Sequence, residues 1–326
     1  SARAQGAAIM RSPLPLRQAP SFPVTSGTAL LAIVVTAGWW MGRDVTGFTI
    51  DARAWHGEPW RLVSSALPHV NLFHLAFNLY GLWILGTALE IAYGWWKTAL
   101  LYVLFAVVSS AAEYAVFEGG VGLSGVLYGL CAFLGVVGRH DLRLGDVVDR
   151  ATIQLFAGWF VLCIVLTYMD VWKVANVAHG AGAIAGLLLG MVVSARRRTL
   201  RVIWVGAVAL LLAASIAGAS FGRPYVNFDA SQRGLDLAWL AYEALDAGDP
   251  ARAEELYVQA LRMNTQEATW WYNLAHARER QGKYAQAIDA CDRALVIPSI
   301  ESPLQRDVGS LRAYLTAKSA AGGLPG

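Results

Sequence analysis

Residues 175–195 read ANVAHGAGAIAGLLLGMVVSA. A helix needs about 20 apolar residues to cross a bilayer, and this run is long enough. It holds no charged residue, yet it carries one histidine, His179. After it, Gly182, Gly186 and Gly190 recur at every fourth position, so they share one helix face. A glycine stripe lets a second helix backbone come close. The stretch therefore predicts a membrane helix packed tightly on a neighbour, with an ionisable ring near its start.

The rest of the chain fits a membrane reading. Of 326 residues, 56% are hydrophobic and 15% are charged, whereas soluble domains have about 45–50% and 25%. The mean hydropathy is +0.44. These values argue against a disordered chain and against an ordinary water-soluble enzyme. The charge deficit is uneven. Residues 1–223 hold 16 Lys/Arg and 10 Asp/Glu, and residues 224–326 hold 10 and 13. A membrane part is followed by a water-soluble one.

Seven apolar runs are candidate spans: 26–42, 70–89, 98–117, 123–138, 152–169, 175–195 and 201–220. The fourth is short, which suits a helix that starts inside the protein. The expected fold is all-α: a polytopic membrane bundle followed by a soluble helical domain. Its expected parts are an N-terminal segment (1–25), a six-span core (26–195), a seventh span (196–222) and a C-terminal domain (223–326). No cleavable signal peptide is expected, because the first strong apolar run begins near Gly27; Met10 is a candidate start. Cys131, Cys163 and Cys291 read as small core residues rather than a disulfide framework.

Basic residues set the expected orientation. With the N-terminus inside, Arg3, Arg11, Arg17, Lys97, Arg139, Arg143, Arg150, Arg196, Arg197, Arg198 and Arg201 lie on the cytoplasmic side. Arg43, Arg53, Arg61, Lys173 and Arg223 lie outside, a ratio of 11 to 5. The C-terminal domain is then extracytoplasmic. The first outer loop, 43–69, contains Trp55 and Trp60 and is expected either to lie in the membrane interface or to form a simple surface loop.

Polar groups inside apolar spans are costly and mark candidate sites. His74 and Asn78 are four apart in HLAFN and face the same way. Ser124 opens the fourth span in GLSG, followed by Gly125 and Gly129 at the spacing of the sixth-span stripe. Glycine against glycine would bring the Ser124 hydroxyl to the His179 ring. A serine beside a histidine in a water-poor site is a nucleophile with its general base. His74, Asn78 and the Ser124 backbone N–H are candidate donors to an oxyanion. Tyr128, one turn after Ser124, is a candidate to stack on His179. Each residue also has a plainer reading: a serine bonded to its own helix, a packing histidine, a packing aromatic. No acidic residue lies in a span near His179 in sequence, so a dyad rather than a triad is expected. His74 and His179 could be two ligands of a zinc site. No H-E-x-x-H occurs and no Cys or carboxylate is placed to complete it, so neither a metal nor a cofactor is expected.

These motifs together resemble the rhomboid family of intramembrane serine proteases. EPWR at 58–61, His69, HLAFN at 74–78, Gly86, Glu90, GLSG at 122–125 and AHGAGAIAG at 178–186 follow the family's order over residues 26–195. The resemblance implies that Ser124 is the nucleophile, His179 the general base, and His74 and Asn78 the side-chain oxyanion donors. It implies that Tyr128 packs on the histidine, that Gly122 begins the nucleophile motif, and that His69 and Glu90 are structural polar positions. It also implies an endopeptidase whose substrates are membrane proteins with helix-destabilised transmembrane segments. The fifth span and the loop after it, about 152–176 with Trp159, Phe160 and Trp172, would be a gate. The seventh span and the soluble tail go beyond the simplest member.

The tail holds two 34-residue units, 234–267 and 268–301. Leu240 and Leu274, Ala241 and Ala275, Ala253 and Ala287, and Ala260 and Ala294 each stand one period apart. The period and the small residues at helix crossings resemble tetratricopeptide repeats, with 302–319 as a capping helix. Such a domain implies a protein or peptide partner, or else a stabilising appendage. It is acidic and has no basic stripe, so no nucleic acid is expected. Three functions are carried forward: a rhomboid-type protease, a specialised protease that trims C-terminal anchor signals, and a catalytically silent membrane adaptor. The six-plus-one span order and the tail favour a bacterial plasma membrane over an organelle.

Overall fold

The computed structural model describes residues 14–321 apart from 142, 229–231 and 233. Met10, Arg3 and Arg11 lie outside the described residues. Two compact units meet in sequence at Gly222 and Arg223.

The first unit contains α1 (Pro23–Trp40), α2 (Leu72–Tyr93), α3 (Trp95–Val116), α4 (Ser124–Val137), α5 (Arg150–Tyr168), α6 (Asn176–Ser194) and α7 (Arg198–Ala219). Among the described residues, six of these are long and apolar enough to cross a membrane, and α4 is the short exception. The protein is an integral membrane protein, all-helical across the described residues. The helices follow the expected runs in order, with shifted ends. α1 begins at Pro23 rather than 26, because a proline at the first helical position has its φ preset and no N–H to satisfy. α3 begins at Trp95 rather than 98 and takes in a Trp-Trp-Lys edge suited to the headgroup region.

α4 sits at the centre. Leu127, Leu130, Phe133 and Leu134 are buried, and α2, α3 and α6 pack around it. A helix apolar all round is one that lies inside a bundle. Its closest partner is α6. A Cβ on Gly182 would run into the Gly125 carbonyl, and one on Gly186 into the Gly129 carbonyl. α5 is the opposite case, since Cys163 is its one buried residue.

The stretch between α1 and α2 is folded rather than a simple surface loop. It contains a 3₁₀ turn (Ala52–Trp55) and a one-turn helix (Arg61–Ser64). The Arg61 guanidinium is 2% exposed, pairs with Glu58 and Asp51, and donates to the Thr49 carbonyl at 2.8 Å. A buried cation stays only where its charge and donors are matched, so Arg61 pins the loop. Glu90 of α2 has a related role: its Oε1 accepts from the Thr25 N–H at 2.7 Å and caps α1.

The second unit contains α8 (Leu235–Asp246), α9 (Pro250–Met263), α10 (Ala268–Arg280), α11 (Tyr284–Leu295) and α12 (Ser302–Ala321), after a single turn at Arg223–Val226. α8 and α9 fall within the first 34-residue unit, and α10 and α11 within the second. Ala241, Ala253, Ala275, Ala287 and Ala294 are fully buried where helices cross. The small side chain at each crossing lets the axes approach. Gly248 and Gly282 take positive φ after α8 and α10 and end those helices.

Candidate active site

Ser124 is the first residue of α4, and His179 lies in the first turn of α6. The glycine contact between the two helices leaves no room for side chains, so their facing ends come together. The Ser124 hydroxyl lies 2.7 Å from His179 Nε2. His179 is 3% exposed. Its Nδ1 is buried and has no hydrogen-bond partner, so no carboxylate orients the ring from behind. A hydroxyl at this distance from a ring nitrogen can give up its proton as its oxygen attacks a carbonyl.

Tyr128 lies one turn along α4. Its ring stacks on His179 at 4.6 Å between centroids and 22° between planes. Its hydroxyl donates to the Phe156 carbonyl of α5 at 3.0 Å. Phe160 of α5 tilts over the same imidazole at 6.4 Å. Trp159 stacks against Phe77 of α2 at 5.5 Å and meets Phe73 at 6.1 Å. Aromatic contacts thus join α5 to α2 and to the histidine, although little else holds it. Trp172 is exposed, beyond the end of α5.

The loop before Ser124 is held by two bonds. The Gly122 N–H donates to the Ser65 carbonyl at 3.1 Å. The Leu123 N–H donates to His69 Nε2 at 3.4 Å, while His69 Nδ1 faces the Leu67 carbonyl at 2.8 Å. A carbonyl only accepts, so the proton sits on Nδ1 and Nε2 is free to accept. His69 is fully buried and braces the loop. Gly122 has φ +112, and a Cβ there would strike the His74 ring. His74 therefore stands against the start of the serine motif.

Asn78 lies one turn along α2 from His74. It is 1% exposed, and neither its amide nitrogen nor its oxygen has a partner. His74 Nδ1 is also buried and unpartnered. Buried polar atoms without partners are uncommon and costly. An incoming carbonyl oxygen could accept from the Asn78 amide nitrogen and from a protonated His74 Nδ1.

One acidic residue escapes a search by sequence distance. Glu113 of α3 is 4% exposed, and its Oε2 accepts from the Ala178 N–H at 2.9 Å. It lies beside a cavity of about 20 Å³ that is also lined by Ser109, Ser110 and Ser124, room for one water molecule. The signal available in the sequence was a lone carboxylate inside an apolar run.

Residues 56–196 match the rhomboid domain family, and residues 240–303 match a tetratricopeptide repeat family. The chain is 35% identical over 144 residues to a rhomboid protease GlpG of Klebsiella pneumoniae, covering 41% of this chain and 49% of that protein. A rhomboid protease GlpG of Serratia proteamaculans is 37% identical over 134 residues, 40% of this chain and 46% of that protein. The one from Photorhabdus laumondii is 32% identical over 178 residues, 52% and 61%. The chain spans about half the length of the curated relatives it matches.

Proposed function

The chain carries a rhomboid domain followed by tetratricopeptide repeats, and on that premise we propose that it is an intramembrane serine endopeptidase acting through a Ser124–His179 dyad. The observation that carries the reading is the 2.7 Å contact between the Ser124 hydroxyl and His179 Nε2 inside a membrane bundle. Both rhomboid protease relatives and the orphaned donors around it support the same chemistry.

The Ser124 oxygen attacks the scissile carbonyl carbon as Nε2 takes its proton. The carbonyl oxygen becomes an oxyanion and accepts from His74, from the Asn78 amide and from the Ser124 N–H at the start of α4. On collapse, the C–N bond breaks and the imidazolium gives its proton to the leaving amine. Water then attacks the acyl-serine with His179 again as base. The products are a free carboxylate and the regenerated hydroxyl. Tyr128 holds the imidazole plane through these steps.

The substrates are transmembrane or membrane-adjacent segments of other membrane proteins. A spanning helix hides its carbonyls in its own hydrogen bonds, so the cut segment must unwind. Glycine, proline or β-branched residues near the cut make that cheaper. α5 is the element that moves aside to admit it, since it is joined to the bundle mainly through aromatic contacts. The N-terminus is cytoplasmic, and the repeat domain lies outside a bacterial plasma membrane, where it recruits a protein or peptide partner. The 11 to 5 distribution of basic residues supports that orientation.

Full-length protein in liposomes should cleave a reporter transmembrane segment that carries a helix-weakening residue. Ser124→Ala should abolish the cut. Cleavage that persists in the variant sinks the dyad, and folded wild type that binds segments without cutting any favours the adaptor.

A further inference from the structure

We infer that Glu113 is a positioning residue: its carboxylate, reaching from α3, caps the helix that carries His179 and fixes the height of the imidazole relative to Ser124. The inference rests on the dyad reading above. Two separate constraints are needed to place His179. The glycine faces of α4 and α6 set how closely the helices approach. A cap on the first turn of α6 can add a constraint along the axis.

α6 has no capping side chain of its own. Its N-cap residue is Ala175, which makes no side-chain bond. The Asn176 amide, next in line, is committed to the Thr167 hydroxyl at 2.8 Å. The unsatisfied amides of a first turn need acceptors. The Glu113 carboxylate supplies one from a different span, bonding the Ala178 N–H directly before His179. A buried carboxylate is expensive in a bundle interior unless it is matched. The partial positive charge of the helix start offsets that cost.

Glu113 also lines the cavity that Gly120 and Ser124 line. A Cβ on Gly120 would lie 3.6 Å from Glu113 Cγ and would strike Ala175. Gly120 belongs to the loop that delivers Ser124. Glu113 therefore lies beside both the loop of one reacting group and the helix of the other. Residues 113 and 178 are far apart in sequence, so no local motif records the link.

The test compares Glu113→Ala and Glu113→Gln in full-length protein reconstituted in liposomes, with unfolding temperature measured alongside. Gln keeps an acceptor oxygen at the same reach, and Ala keeps none. Wild type, Glu113→Gln and Glu113→Ala should differ in kcat with KM unchanged. Glu113→Ala should lose at least about tenfold, the scale expected when a reacting group is displaced by a fraction of an ångström. Glu113→Gln should recover most of that loss. Wild-type kcat in folded Glu113→Ala overturns the inference. So does folded Glu113→Gln as inactive as the alanine variant, which would require the charge itself. If Glu113→Ala does not fold, near-wild-type kcat in Glu113→Gln supports the cap and loss of cleavage overturns it. Labelling of wild-type Ser124 by a fluorophosphonate separates these outcomes from failure of the dyad, because without a reactive serine the wild type would not label.

Discussion

At Gly122 two demands fall on one residue. Its φ of +112 is a conformation that side chains resist, and the His74 ring occupies the space where a Cβ would go. Backbone strain of this kind costs about 1–3 kcal/mol. Gly122→Ala should therefore lower stability by about that amount and displace His74, so that cleavage falls further than unfolding explains. Thermal unfolding and cleavage on the same preparation check this, and an unchanged rate would contradict it. Residues of this kind differ in how far a sequence reveals them. His74, Asn78, Ser124 and His179 stand out because each is a polar group in an apolar run. Glu113 also lies in such a run, but its partner is a backbone N–H on another span, and only the fold brings the two together. His69 was legible as a polar position. Its bond to the Leu123 N–H was not, because that depends on how the loop folds back.

Among the elements, α6 was the most legible. A stripe of glycines four apart has one cheap explanation, a close helix partner, and α4 carries the matching stripe. The ends of α1 and α3 were less legible, because apolar runs do not mark where a helix starts. The first outer loop was least so, since its fold depends on where the Arg61 guanidinium finds acceptors. In the repeat unit, Glu254 of α9 plays a similar joining role. It accepts from Arg278 at 3.0 Å, from Gln281 at 2.9 Å and from Lys283 at 2.6 Å, tying α9 to α10 and to the turn before α11. Burial pushes its pKa up, but the bonds from Lys283, Arg278 and Gln281 outweigh that and hold it below its usual 4.5. A depressed carboxylate contributes stability above its unfolded value and loses it as pH falls through the folded one. Glu254→Gln should be less stable than wild type at pH 7 by about 1 kcal/mol, and the gap should close as pH drops below 4.5. Thermal unfolding of both proteins across that range reads the gap, and one that stays constant contradicts the ion network.

Across the whole molecule, the uneven charge is what separates a membrane unit from a repeat unit, and the compact units divide at Gly222 and Arg223. Composition alone marks that border, because lipid and water select different residues. What the membrane unit contributes is more specific: a bundle whose glycine faces and braced loops bring one hydroxyl to one imidazole. That pairing is tested most directly by phosphonylation of the folded full-length protein with a fluorophosphonate, in which the serine oxygen displaces fluoride from phosphorus, with the adduct located by peptide mass spectrometry. The dyad predicts an adduct on Ser124, formed at least about a hundredfold more slowly in His179→Ala, the size of a lost general base. Equal rates in the two proteins, or an adduct on another residue, would contradict it.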